Sequence, residues 1–149
     1  MRLPPRELPC APAGGTVRDM TPPNLTSPPP HFTVDQFARF WAAPDASLIV
    51  GEMFTPDVVG AWPGDPEPVP GLAAYRARVA QLLERVPDLT LEVAEHASNG
   101  PYLFIRWIAR GTGPDGPFET TGIDRIRIEN GRVAENIIRF DPAALPAAA

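Results

Sequence analysis

Apolar residues recur along this chain with two different periods, and the change of period divides it into a helical half and a stranded half. Val34, Phe37, Phe40 and Trp41 fall at helical spacing behind Thr33 and Gln36, a capping-box pair that predicts a helix from about Thr33 to about Ala43. After Pro44, Asp45 is placed to cap a second short helix carrying Leu48, Ile49, Met53 and Phe54. A brief strand over 57–62 leads into a loop punctuated by Pro63, Pro66, Pro68 and Pro70. Gly71 then opens a longer helix with Leu72, Tyr75, Val79, Leu82, Leu83 and Val86 on one stripe, and Pro87 stops it. From there the pattern alternates, predicting strands over 88–97, 102–110, 118–129 and 132–140. Helices first and a meander after give an α+β fold with a curled antiparallel sheet. The run Gly111-Thr112-Gly113-Pro114-Asp115-Gly116 mimics a nucleotide-loop spacing, but it lies between two strands and contains a proline, so it reads as a hairpin turn.

Composition narrows the chemistry. The chain has 149 residues, enough for one domain with a core and a small-molecule pocket. Nine of its 21 prolines lie in the first thirty residues, so 1–30 reads as a disordered Pro-rich tail, 31–143 as the folded domain and 144–149 as a flexible end. All thirteen basic residues are arginine. The absence of lysine removes Schiff-base chemistry, pyridoxal phosphate attachment and the P-loop lysine. One cysteine, Cys10, and two distant histidines, His31 and His96, give no disulfide and no zinc or haem signature. A net charge of -5 argues against a nucleic acid partner. With no long apolar run and no signal-peptide core, the expectation is a cytoplasmic protein that needs neither membrane nor cofactor.

One residue breaks the segregation of charge. In the strand over 118–129, Phe118, Thr120, Gly122, Asp124, Ile126 and Ile128 share a face, and Asp124 is its only charge. An unpaired buried carboxylate is costly, so such a residue is either paired structurally or kept for chemistry. A three-residue turn at Glu129-Asn130-Gly131 would set Asp124 opposite Asn136 and Arg125 opposite Glu135, and it separates the faces better than a two-residue turn. Ile138 and Phe140 would then line the same wall. In the strand over 102–110 both faces are rather apolar, so one is expected to meet the helices and the other a second copy of the chain, making a homodimer. If Arg106 faces inward it is the natural counter-charge for Asp124.

This order of elements, with the run Gly122-Ile123-Asp124-Arg125-Ile126-Arg127-Ile128-Glu129-Asn130-Gly131-Arg132-Val133 and the pair Phe140-Asp141, resembles the SnoaL-like branch of the nuclear transport factor 2-like superfamily over about residues 32–142. That superfamily includes ketosteroid isomerase, limonene epoxide hydrolase and polyketide cyclases. The resemblance implies a cone-shaped fold, its curled antiparallel sheet wrapped round three N-terminal helices and enclosing one apolar pocket. It sets Asp124 at the position of the isomerase acid that donates to the oxyanion, and of a pocket histidine in SnoaL. Trp62 stands where the isomerase has its general base, and Phe37 where it has a first-helix tyrosine. Arg106 matches the arginine of the epoxide hydrolase, whose aspartate two residues on is Ile108 here, and the final-strand acid is Ile138.

The expected site therefore has Asp124 as general acid/base or hydrogen-bond donor and Arg106 as stabiliser of negative charge. Its substrate walls are Trp62, Asn136, Ile138, Ile108, Phe104, Met53, Phe37, Trp41 and Tyr75, with no metal. The bland alternatives are a structural Asp124–Arg106 ion pair and a Tyr75 that is simply core. The function expected is a cofactor-independent cyclase or isomerase acting on a hydrophobic polyketide-like molecule. Against it stand a non-catalytic ligand-binding or dimerisation module, and an epoxide hydrolase, which would need Glu95 or Glu119 to point inward.

Overall fold

A computed structural model describes residues 31–144, so the expected Pro-rich tail, and residues 145–149, lie outside the described residues. Helix α1 (Val34–Ala42) begins as its sequence requires: Gln36 N–H donates to Thr33 Oγ1 at 3.3 Å and Thr33 N–H donates to Gln36 Oε1 at 2.9 Å. Helix α2 (Leu72–Arg85) buries Tyr75 and Val79. The expected middle helix is one 3₁₀ turn, Ala46–Leu48, capped by Asp45, whose Oδ1 accepts from Ser47 N–H at 2.9 Å. Among the described residues two α-helices thus replace the three expected. Gly51 interrupts the apolar run at the point where a longer helix would have to continue, and residues 51–53 turn instead.

Among the described residues six strands form one curled, unclosed sheet in the order β2-β1-β6-β5-β4-β3. They are β1 (Phe54–Ala61), β2 (Val69–Pro70), β3 (Thr90–Asn99), β4 (Tyr102–Gly113), β5 (Gly116–Glu129) and β6 (Arg132–Phe140). The sheet is mixed rather than antiparallel, because β1 runs parallel to β6. A pattern of alternating residues carries no information on strand direction, and β1 reaches β6 across most of the domain. Pro56 lies inside β1, where the ladder to β6 is irregular between Phe54 and Val59, so its missing N–H breaks no regular pair. Gly111–Gly113 extends β4 against Gly116–Phe118, which leaves Pro114 and Asp115 as the hairpin loop.

The last hairpin corrects the expected register. Asn130 and Gly131 form a two-residue loop with positive φ at both positions (51° and 78°), and Glu129 pairs with Arg132. Faces still segregate, because a bulge follows: Ile128 pairs with Val133 but Arg127 pairs with Glu135, so Ala134 is the extra residue, and both Val133 and Ala134 are buried. Asp124 therefore stands directly opposite Ile138, and Asn136 opposite Ile126.

The core lies between the helices and the concave face of the sheet, where Val58, Ile105, Ile126 and Val133 are almost wholly excluded from solvent. Opposite Trp107 on the neighbouring strand is Gly122. A Cβ on Gly122 would lie 2.2 Å and 2.3 Å from two atoms of the six-membered ring of Trp107 and 2.9 Å from the Arg139 carbonyl oxygen. The glycine is what lets the indole approach β5 this closely. Gly122→Ala is expected to displace Trp107 and cost roughly 1–3 kcal/mol of stability, as overpacking does. Urea denaturation gives the loss, and near-ultraviolet circular dichroism gives the change in tryptophan environment.

Candidate functional site

The helices and the concave sheet face enclose a cavity of about 320 Å³. Its walls are overwhelmingly apolar and include all three tryptophans of the chain, Trp41, Trp62 and Trp107. Trp62 leaves the end of β1 and folds back over Gly60, where a Cβ would lie 2.8 Å from Tyr75 Cε2. Its ring packs on Tyr75 with centroids 5.1 Å apart, while the Arg78 guanidinium covers it at 5.2 Å and is itself tied to Asp65 at 2.9 Å. Exposed Arg39 and Leu48 mark the open end, and buried Asp124, Asn136 and Tyr75 mark the closed one.

Those three residues form one network with Trp107. The indole Nε1–H donates to Asp124 Oδ1 at 2.8 Å, and Asn136 Nδ2 donates to Asp124 Oδ2 at 2.9 Å and to the Tyr75 hydroxyl oxygen at 3.1 Å. Each partner is delivered by a separate element: Trp107 by β4, Asn136 by β6 through the bulge, Tyr75 by the buried stripe of α2. The donors that hold Asp124 are neutral. Burial consequently dominates and pushes its carboxyl up to about 6, with the Asn136 and Trp107 hydrogen bonds pulling part of the way back. Burial, reinforced by the Asp124 charge and opposed by the Asn136 bond, raises the Tyr75 phenol far above its ordinary range, so it stays protonated. The buried Asn136 Oδ1 has no hydrogen-bond partner.

Of the residues expected from sequence, Asp124, Trp62, Asn136, Ile138, Met53, Phe37, Trp41 and Tyr75 all line this cavity. Arg106, Phe104 and Ile108 do not, and the correction has one cause: β4 turns Leu103, Ile105, Trp107 and Ala109 inward and the alternate set outward. Arg106 pairs with Glu95 on the outer face and is no counter-charge for Asp124. Phe104 is 37% exposed there and Ile123 46%, among the ion pairs Arg110–Glu119 and Arg125–Glu135. Trp107 is the polar partner that sequence reasoning missed. The usable signal was Gly122, two residues before Asp124 on the same face, a gap that only a large cross-strand ring would fill. Phe32, Phe54 and Arg39 also line the cavity unforeseen.

The expectation of a single pocket needs amending, since a second concavity is lined by His31, His96, Ser98, Tyr102 and Asn130 among others. Among the described residues, no group of three or more His, Cys, Asp or Glu side chains is placed to hold a metal ion, and no helix is long and apolar enough to cross a membrane.

The SnoaL-like domain family matches residues 34–136. No curated protein matches the chain. Among solved structures, wild-type IdmH of Streptomyces antibioticus, a proposed polyketide cyclase, is 26% identical, with 75% of this chain and 91% of that one aligned at a TM-score of 0.62. A proposed SnoaL-like polyketide cyclase from Jannaschia sp. CCS1 is 21% identical over 74% of this chain and 86% of that one, with a TM-score of 0.65. A protein of ketosteroid isomerase-like fold from Catenulispora acidiphila, solved with trimethylamine, is 12% identical over 75% and 87% of the two chains, with a TM-score of 0.67.

The network makes stability depend on pH in a stated direction. Asp124 has a folded-state value of about 6 against an ordinary 3.8, so between these values the folded chain holds a proton that the unfolded chain has released. Its contribution therefore falls as pH rises through that window, by a total on the order of 3 kcal/mol. Asp124→Asn removes this titration. The stability of the variant relative to the parent, from urea denaturation at a series of pH values, is expected to climb between about pH 4 and pH 6.5 and to level off above.

Proposed function

The chain belongs to the SnoaL-like domain family, and from that premise we propose that it is a cofactor-independent cyclase or isomerase acting on a hydrophobic, polyketide-like small molecule. The observation that carries this reading is a carboxyl of about 6 on the wall of an apolar cavity, held by neutral donors rather than an ion pair. At neutral pH such a group is mostly ionised yet close enough to its midpoint to take a proton from a carbon acid and return it elsewhere. Tyr75, kept protonated, supplies a donor beside it for a developing enolate oxygen. The aromatic walls fold the substrate into a reactive conformer, which for a flexible chain is a large share of the barrier.

The role once expected of Arg106 does not enter. Nor does hydrolysis of an epoxide, because Glu95 and Glu119 are engaged on the outer face by Arg106 and Arg110. In the same proposal the protein is cytoplasmic and works as a homodimer through the outer sheet face, for which the exposed Phe104 and Ile123 speak. The second reading, a non-catalytic ligand carrier, draws on both oxygens of Asp124 being already hydrogen-bonded.

A panel of aromatic poly-β-ketones, followed by mass spectrometry for turnover and by tryptophan fluorescence for binding, separates the two. Catalysis predicts that at least one is converted and that Asp124→Asn lowers the rate about 10²–10⁴-fold. Trp107→Phe removes a hydrogen bond that lowers the Asp124 value, so the midpoint of the pH–rate profile is expected to move upward from about 6. Equal turnover by the parent and Asp124→Asn would refute the assignment, and fluorescence changes without conversion would establish the carrier.

A further inference from the structure

The cavity wall at Trp62 is held from behind by charged groups that lie outside the cavity. Trp62-Pro63-Gly64-Asp65 makes a tight turn: the Asp65 N–H donates to the Trp62 carbonyl oxygen at 3.3 Å, and Gly64 has the φ of 90° that a type II turn requires at its third residue. The turn carries the Asp65 carboxylate back toward the indole. There both its oxygens accept from Arg78, Oδ2 from Nε at 2.9 Å and Oδ1 from Nη2 at 3.4 Å, and the guanidinium lies 5.2 Å from the centre of the Trp62 ring. Tyr75, one turn before Arg78 on α2, meets the same ring.

Trp62 is buried, and its ring lies so close over Gly60 that a Cβ there would be 2.7 Å from Cη2. It therefore has backbone beneath it, Tyr75 beside it and a carboxylate-anchored guanidinium over it. An indole held by packing alone can turn aside for a bulky guest. This one can do so only by breaking a cation–π contact, and the ion pair behind it keeps the guanidinium in place. A wall that does not yield discriminates by thickness. A flat ring stacks against it, whereas a saturated ring of the same carbon skeleton is thicker, offers no π face and needs the wall to move.

We propose that Arg78 is a positioning residue that sets specificity: by fixing Trp62 as a rigid wall, it makes the cavity prefer flat, unsaturated rings to saturated rings of the same skeleton. Arg78 touches no substrate and acts through Trp62. This rests on the reading of the cavity as a site for apolar molecules and narrows it, since the part of the substrate that lies against Trp62 is planar.

Calorimetric titration of the full chain with 2-naphthol and with trans-decahydro-2-naphthol tests it. The two alcohols share a skeleton, and the difference in their hydration is the same for every variant, so it cancels when preferences are compared. The parent is expected to bind the naphthol more tightly. Arg78→Met, which keeps the stem and removes the guanidinium, is expected to cut that preference about tenfold, and Asp65→Asn, which only frees the guanidinium, about threefold. The indole N–H signals of the three tryptophans in a proton–nitrogen correlation spectrum, with that of Trp62 identified by Trp62→Phe, give a readout that lost stability alone would not produce. The Trp62 signal is expected to shift in both variants while that of Trp107, donated to Asp124, stays in place. A parent that prefers the decahydro alcohol, an unchanged preference in Arg78→Met, or indole signals that all shift alike overturns this inference and leaves the apolar site standing. Failure of both alcohols to bind the parent overturns the apolar site as well.

Discussion

Keeping a carboxylate out of water without a cation beside it is the constraint around which this domain is arranged. Desolvation of Asp124 is offset only by an indole N–H and an amide N–H. Each of these imposes a requirement of its own. Trp107 reaches the carboxylate only because Gly122 has no side chain for the indole to strike. Asn136 reaches it only because the bulge at Ala134 resets the register of β6. Tyr75 completes the network from α2, and Trp62 can cover Tyr75 because position 60 is a second glycine. A glycine, a bulge and a glycine thus give an apolar concavity a buried polar corner.

Much of this was legible in the sequence, and for identifiable reasons. The capping box of α1, the stripe of α2 and the alternation of β3 to β6 are local signals, set by period and by end residues. Asp124 stood out because one charge among apolar neighbours of like parity is costly anywhere. What the pattern left undetermined was which of two rather apolar faces of β4 turns inward. Arg106 and Trp107 are adjacent in the chain, and choosing between them reverses the chemistry from ion pair to neutral donor. Nothing within β4 decides it, whereas the cross-strand match of Trp107 to Gly122 does.

The last hairpin gives a second case. Sequence arguments reached the proximity of Asn136 to Asp124, and of Arg125 to Glu135, by way of a three-residue turn that does not form. The observed Asn130-Gly131 turn obeys the ordinary preference for positive φ at both positions, and the bulge restores the segregation of faces one step later. The contacts survive as diagonal rather than directly opposed neighbours. Segregation of faces, which the hydrophobic effect enforces, proved a stronger guide than turn length. The parallel pairing of β1 with β6 had no comparable local marker.

That parallel pairing also bears on how the domain comes to exist. Phe54 meets Val133, Val59 meets Glu135, and the amide of Phe32 donates to the Gly131 carbonyl at 2.8 Å, all across most of the folded length. During synthesis the first third of the domain is made well before the strand that receives it. The β3–β4 and β4–β5 hairpins can close as they emerge, whereas β1 and the start of α1 must wait for the final strand. Such non-local closure slows folding and leaves the aromatic lining exposed until late. The wall that would later bind an apolar guest is, for that interval, the surface most in need of protection from other chains.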